Sequence, residues 1–164
     1  MLKDQLQKEN SEALKSGNTL KRSVLAAILT SIQNKELNKR TILSKTETDP
    51  VKLEEGSKLS DEEIMEVLSS EAKKRKESIE QFTQGNRSDL ADKEKLELEL
   101  ISAYLPEQMN EEDVTTIVKE AISKTGASTI QDIGSVMGEV MKTLKGKADG
   151  GLISNIVKKE LGSK

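Results

Sequence analysis

Cysteine and histidine are both absent from this chain of 164 residues. Without cysteine there is no disulfide, no thiol nucleophile and no zinc–thiolate site, as expected for a protein of the reducing cytosol. Without histidine the chain lacks the commonest general base and metal ligand. Any catalysis would have to use Asp, Glu, Lys, Ser or Tyr alone. We name no catalytic residue, no metal site and no cofactor, and keep an enzyme with a carboxylate-only site as the third hypothesis.

Aromatic side chains make up only 1% of the residues, against 34% hydrophobic and 34% charged residues. The interior must therefore consist of aliphatic side chains and methionine, which suits the packing of helix on helix. The length allows one compact domain or two small ones, each with a modest core. The composition predicts an all-α fold.

Long hydrophobic runs are also missing, and none approaches the roughly 20 residues that a membrane-spanning helix needs. The first residues, Met1–Leu6, have no apolar core of signal-peptide length, and they include an acid, which mitochondrial presequences avoid. We therefore expect a cytoplasmic protein with no membrane partner. Because the net charge is −3, any nucleic-acid binding must come from a local basic patch.

Proline is scarce, and one of the two prolines divides the chain. Pro106 has no backbone N–H and disfavours the helical conformation at Leu105, so the preceding helix should end there. Asn110 is a good N-cap for the next helix, which has acids in its first turn. We predict an N-terminal helical domain (residues 1–105) joined by this Pro-containing hinge to a small C-terminal domain (residues 108–164).

Apolar residues recur at spacings of three and four along the N-terminal domain and predict a helical hairpin or bundle. The predicted helices run from Leu2 to Ser16, from the N-cap Thr19 onward, from the Ser60 capping box to Gly85, and from the N-cap Ser88 to Leu105. Residues 38–58 lack this periodicity and contain Asp49–Pro50, so we expect an exposed connection there. Tyr104 is expected to pack its ring and to keep its hydroxyl near water.

The C-terminal domain shows three short apolar stripes and is predicted to be a three-helix domain. Its helices should follow the caps Asn110, Thr129 and Asp149. Gly134 and Gly138 lie four residues apart in the second helix, where two missing side chains permit close approach by a neighbour. Because glycine inside a helix costs about 1 kcal/mol relative to alanine, we expect tight packing or a surface contact in return.

Basic residues concentrate between positions 142 and 159, where five lysines oppose a single acid. This excess surrounds the start of a helix and predicts a phosphate-contacting surface, with ordinary solvated lysines as the alternative. The candidate binding residues are Lys142, Lys145, Lys147, Asp149, Gly150, Lys158 and Lys159. A second basic run, Lys73–Lys76, points in several directions around its helix. The acidic clusters Asp61–Glu63 and Glu111–Asp113 are explained by helix N-termini.

Six segments in order carry a family resemblance that covers nearly the full length. They are Leu20–Arg22, Glu71–Ser78, Arg87–Leu90, Glu97–Gln108, Asp132–Met137 and Gly146–Gly150. Together they resemble the GatB/YqeY family, named from a small stand-alone bacterial protein and the tail domain of a tRNA-dependent amidotransferase subunit. Members of this family are all-helical, with an N-terminal helical domain and a compact C-terminal domain.

The resemblance also implies a function. In the amidotransferase the tail domain helps to hold tRNA, while other domains carry out glutamine-dependent carbon–nitrogen ligation on glutamyl- or aspartyl-tRNA. Only the tail is present here, so the resemblance implies a tRNA-binding module that is not catalytic alone. The implied partners are tRNA and amidotransferase subunits or another protein, with no DNA. Lys147 stands where arginine is common, and lysine lacks the bidentate fork that favours sequence-specific recognition.

A second hypothesis is a helical protein–protein interaction module with no RNA ligand. Such a module would dock a polypeptide through the Gly134/Gly138 edge and the groove between the domains. Salt-dependent retention of tRNA would separate the first hypothesis from the second.

Overall fold

The computed structural model describes residues 1–162; Ser163 and Lys164, the end of the predicted C-terminal domain, lie outside the described residues. Within this range the chain forms α-helices, one 3-10 turn and no strand, so the predicted all-α fold is confirmed. The elements are α1 (Leu2–Lys15), α2 (Thr19–Leu43), α3 (Pro50–Ser57), α4 (Asp61–Gln84), α5 (Ser88–Ser102), α6 (Glu111–Thr125), the 3-10 turn (Ile130–Asp132), α7 (Ile133–Leu144) and α8 (Gly150–Gly162). Two compact units emerge, one ending at Tyr104 and the other beginning at Leu105. The role of Pro106 as a hinge stays a prediction.

The first unit is built from α1 to α5. Helix α4 packs along α5, α1 packs along α2, and α2 also contacts α3, α4 and α5. The core consists of aliphatic side chains at helical spacing, as the periodicity predicts. Its buried hydrophobic residues are Leu6, Ala13, Val24, Leu25, Ile28, Ile32, Leu59, Ile64, Val67, Leu68, Ala72, Ala91 and Ile101.

Helix α4 begins with the predicted capping box. The Ser60 hydroxyl accepts a hydrogen bond from the Glu63 N–H at 3.2 Å, and the Glu63 carboxylate accepts one from the Ser60 N–H at 2.8 Å. Two other predicted caps are wrong. The side chain of Asn18, one residue before Thr19, caps α2, while α5 follows Arg87 without a side-chain cap. Ser88 is instead the first helical residue.

The segment at residues 38–58, predicted as an exposed connection without helical periodicity, is largely helical. Helix α2 continues to Leu43, and α3 fills Pro50–Ser57. The Asp49 carboxylate accepts hydrogen bonds from two N–H groups of α3, and Pro50 occupies the first turn, where its missing N–H costs nothing. A Cβ added at Gly56 would lie 2.7 Å from Leu43 Cδ2, so this glycine lets α3 lie close against α2.

A polar contact ties the end of the first unit to its first two helices. The Tyr104 hydroxyl donates to Glu9 Oε2 at 2.6 Å, and Lys21 Nζ lies 2.7 Å from the same oxygen. The hydroxyl that was expected to stay near water thus donates to a half-buried carboxylate. Lys21 and then Tyr104 lower the pKa of Glu9 to about 2, while burial and the neighbouring Glu9 carboxylate raise the pKa of Tyr104.

The second unit packs α6, α7 and α8 around its own core. Asn110 caps α6, as predicted, and Gly126 ends that helix with a left-handed φ of 68°. The buried residues are Val114, Val118, Ala121, Ile122, Ala127, Val136, Val140, Leu144, Ile153, Ile156, Val157 and Leu161. Gly134 and Gly138 are exposed, and no described heavy atom lies within 4 Å of a Cβ added at either position. Tight packing therefore does not explain them.

Replacing Gly134 and Gly138 with alanine should stabilise the protein. Each substitution removes the helical penalty of glycine without a clash, so the free energy of unfolding should rise by about 0.5 to 1 kcal/mol per site. Urea unfolding followed by circular dichroism would measure it. The matched control is Gly126→Ala, which should destabilise because φ at Gly126 is 68°. Destabilisation at 134 or 138 would contradict the open edge seen on α7.

The Tyr104→Phe variant should be less stable than the parent at pH 7 by about 1 to 2 kcal/mol, because it removes a hydrogen bond to a charged acceptor. The folded state lowers the Glu9 pKa to about 2, below its ordinary value of 4.5. The stabilisation is therefore complete above pH 4.5 and is lost as the pH falls towards 2. Unfolding curves between pH 7 and pH 2 should show the two proteins converging. A difference that does not change with pH would rule out the Glu9 contact as its source.

Candidate nucleic-acid interface

The turn between α7 and α8 positions most of the predicted binding residues. It spans residues 145–149, and its second residue, Gly146, has a φ of 78°, a conformation that glycine adopts without strain. The Lys147 N–H donates to the Leu144 carbonyl at 2.9 Å, which closes the turn. Asp149 Oδ1 accepts from the Leu152 N–H at 3.0 Å. Asp149 thus caps α8, and Gly150 is the exposed first residue of that helix.

All five predicted lysines are exposed, but their electrostatic surroundings differ. Lys142 Nζ lies 2.6 Å from Glu139 Oε2, and Lys124 pairs with the other carboxylate oxygen of Glu139. Lys124 and then Lys142 lower the pKa of Glu139 to about 2. Glu139 therefore stays ionised and offsets much of the charge at Lys142. The sequence window from 142 to 159 misses this acid, because Glu139 lies one helical turn before it.

Lys158 and Lys159 lie near the other end of α8, about 12 Å along the helix axis from Gly150. Adjacent helical residues point about 100° apart, so these two lysines cover different sides of the helix. Neither has an ion-pair partner among residues 1–162. The predicted lysines thus lie at both ends of α8 rather than in one compact patch.

A segment 40 residues earlier in the chain packs against the turn. The Met109 N–H donates to the Lys147 carbonyl at 2.8 Å. The Gln108 side-chain amide donates to the Gly146 carbonyl at 2.8 Å and to the Pro106 carbonyl at 3.0 Å. Two of the segments that carry the family resemblance therefore meet here. The sequence shows that both are present, but it contains no local signal of their contact.

These two segments line an open pocket of about 490 Å³. It is lined by Pro106, Glu107, Gln108, Met109, Asn110, Asp113 and Lys147. Two acidic residues, Glu107 and Asp113, line the same pocket as Lys147, so the potential around Lys147 is less positive than the sequence window suggests. Sequence reasoning missed both acids as neighbours of the predicted surface.

Several acidic residues of the described part of the chain have structural roles. Asp61–Glu63 and Glu111–Asp113 occupy the first turns of α4 and α6. Glu97 is buried and pairs with Arg75 at 3.1 Å, so its charge is compensated inside the first unit. Among residues 1–162 no group of three or more acids is placed to hold a metal ion. No helix in this range has the length and apolar character to cross a membrane.

The sequence matches the family described as Yqey-like protein over residues 3–161. It is also similar to proteins named "Altered inheritance of mitochondria protein 41, mitochondrial". In Pyrenophora tritici-repentis the identity is 29% over 64% of this chain and 59% of the relative. In Candida glabrata it is 28% over 62% of this chain and 48% of the relative. In Vanderwaltozyma polyspora it is 26% over 94% of this chain and 79% of the relative.

Matches to the first two relatives span only about half to three-fifths of their length, whereas the family match spans nearly all of this chain. All three relatives carry the word mitochondrial in their names, which contradicts the expectation of a cytoplasmic protein. That expectation rested on missing cysteine and on an early acidic residue, and neither property determines a compartment. From the family match over residues 3–161, the chain belongs to the Yqey-like protein family.

Proposed function

We propose that this chain is a noncatalytic tRNA-binding module that acts with a glutamine-dependent amidotransferase on glutamyl- or aspartyl-tRNA. The observation that carries the proposal is the pair of exposed lysines, Lys158 and Lys159, which no described acid compensates. Together with Lys145 and Lys147 at the start of α8, they offer cationic groups to a phosphate backbone. The ligation chemistry would belong to other subunits.

Binding of this kind depends on point charges more than on base recognition. Lysine contacts phosphate through a compact ammonium group and carries no planar fork for base edges. Asp149 is used as the cap of α8, so side chains rather than the helix terminus supply most of the attraction. We therefore expect this surface to bind different tRNAs with similar affinity and with strong dependence on salt.

The alternative function, a protein-docking module, is favoured by the open edge of α7. Gly134 and Gly138 are exposed there, next to the partly buried Met137 and Met141 on the same helix. A partner helix could approach the backbone closely at such an edge. In this case Gly138→Leu would abolish capture of the protein partner while tRNA retention stayed unchanged.

Replacing Lys158 and Lys159 together with glutamine should weaken binding to unfractionated tRNA. Two lost phosphate contacts should lower the slope of log affinity against log salt by roughly 1.4 to 1.8. Lys8→Gln/Lys93→Gln makes the same change in net charge at two exposed lysines in the first unit, and it should leave the slope unchanged. Equal slopes for the parent and the 158/159 variant would remove this surface from consideration.

The Glu139→Gln variant should have the opposite effect. It removes the carboxylate that pairs with Lys124 and Lys142 and so frees Lys142 to contact phosphate. Affinity for tRNA should rise, and the salt slope should steepen by roughly 0.7 to 0.9 for one added contact. Because the Glu139 pKa is about 2, the parent carries this negative charge throughout the neutral pH range. No gain in affinity would place Lys142 outside the interface.

A further inference from the structure

Helix α2 presents a long exposed face without charge. The helix has 25 residues, and its inner side is buried through Val24, Leu25, Ile28 and Ile32. Its opposite side carries ten exposed side chains, counting the C-cap Ser44, none of them ionisable and spread over about 31 Å along the helix axis. They are Ser23, Ala26, Ala27, Thr30, Gln33, Asn34, Leu37, Asn38, Thr41 and Ser44.

This composition is unusual for the surface of such a chain. With 34% charged residues overall, ten exposed positions would hold about three charges or more. Leu37 is the only large apolar side chain among them, with 53% of its surface exposed, while Ile42, with 68% exposed, lies on the same helix about 100° beyond Thr41. The face therefore lacks the apolar anchors of a protein-docking helix. The face consists of small side chains interspersed with hydrogen-bonding groups.

The hydrogen-bonding groups on this face are partly committed and partly available. The hydroxyls of Thr30 and Thr41 donate to carbonyls of their own helix at 2.9 Å, so their oxygens are left as acceptors. On the same face Gln33, Asn34 and Asn38 add amide donors and acceptors. An incoming hydroxyl donor would find the threonine oxygens, and an incoming anion would find the amides.

Two arginines lie on one edge of this face, near its two ends. Arg22 and Arg40 are 18 residues apart, which is five helical turns, so they lie on the same edge about 27 Å from each other. Both are exposed, and neither has an acidic partner within residues 1–162. The three lysines of α2 are neutralised, with Lys21 paired to Glu9, Lys35 to Glu66 and Lys39 to Glu63.

The only acid of α2 does not reduce this positive character. Glu36 pairs with Lys3 at 2.6 Å and accepts a hydrogen bond from the Leu59 N–H. Beyond Asn34 and Asn38 the face borders a shallow groove of about 400 Å³ between α2 and α4. The acids in that groove, Glu66 and Glu71, are paired with lysines. The two arginines are therefore the uncompensated charges of this surface.

We propose that this face of α2 binds the backbone of a structured RNA, with Arg22 and Arg40 on phosphates. Guanidinium groups bind phosphate through a bidentate fork. The small side chains between them allow close approach to the wide, shallow minor groove of an RNA helix, where 2′-hydroxyls are displayed. The threonine oxygens accept from those hydroxyls. The inference rests on the proposed tRNA binding and gives the first unit its own contact with the RNA.

The first test is the variant Arg22→Gln/Arg40→Gln in the full chain, with unfractionated tRNA as the probe. Two lost phosphate contacts should lower the salt slope by roughly 1.4 to 1.8, with unchanged helical content. The charge-matched control is again Lys8→Gln/Lys93→Gln. If Lys158→Gln/Lys159→Gln weakens binding and the arginine variant does not, this inference fails while the proposed function stands. If instead the arginine variant weakens binding and Lys158→Gln/Lys159→Gln does not, the result supports the α2 face and excludes the α8 surface.

The second test addresses the middle of the face and the identity of the ligand. Thr30→Glu/Gln33→Glu places two negative charges between the arginines and should strongly weaken binding to an RNA duplex. The parent should also prefer that RNA duplex to a DNA duplex of the same sequence, because DNA lacks the 2′-hydroxyl. Equal binding of RNA and DNA would overturn the proposal. A second result would also overturn it. If Arg22→Gln/Arg40→Gln loses retention on polyglutamate but keeps its affinity for tRNA, the face fits an acidic protein and not RNA.

Discussion

Burial of aliphatic side chains along helical stripes is the interaction on which both units depend. Fully buried residues such as Leu6, Ile32, Ile64 and Leu68 come from three different helices of the first unit. Each contributes about 1.5 to 3 kcal/mol when removed from water, against the large cost of ordering the chain. With so few aromatic residues, many modest contacts must replace a few large ones. The result is a pair of thin cores, and the outer half of nearly every helix is left free for polar side chains.

The parts of the fold that could be predicted are those determined locally. The capping box of α4 and the Asn110 cap need only residues that lie within three positions of each other. Wrong predictions arose where two adjacent residues compete, as with Asn18 and Thr19, or where a distant contact decides. Helix α3 lies close against α2 because Gly56 has no side chain to meet Leu43. That contact lies outside any window of local periodicity.

The candidate site also has some features that the sequence predicts and others that it does not. Exposure of the five lysines follows from their positions on helices whose other faces are apolar, and the sequence predicts it. Their effective charge does not follow, because the acids beside Lys142 and Lys147 lie outside the window of residues 142–159, Glu139 one helical turn before it and Glu107 and Asp113 in an earlier segment. Charge counted along a sequence window therefore overestimates this surface. The α2 face could not be predicted for a related reason. The sequence contains the lysines of α2 but does not show that each one is paired with an acid.

Pairing also bears on the proposal that an acidic protein binds an anionic ligand. The net charge is −3, so the molecule as a whole does not attract phosphate over long distances. Lysines such as Lys21 and Lys39 are bound to carboxylates, whereas Arg22, Arg40, Lys158 and Lys159 are among the cations without an ion-pair partner in the described part of the chain. Screening limits the reach of each remaining charge to about 10 Å at ordinary salt. Recognition would then depend on contact at those positions, which favours a partner whose phosphates match their spacing over one that is merely acidic.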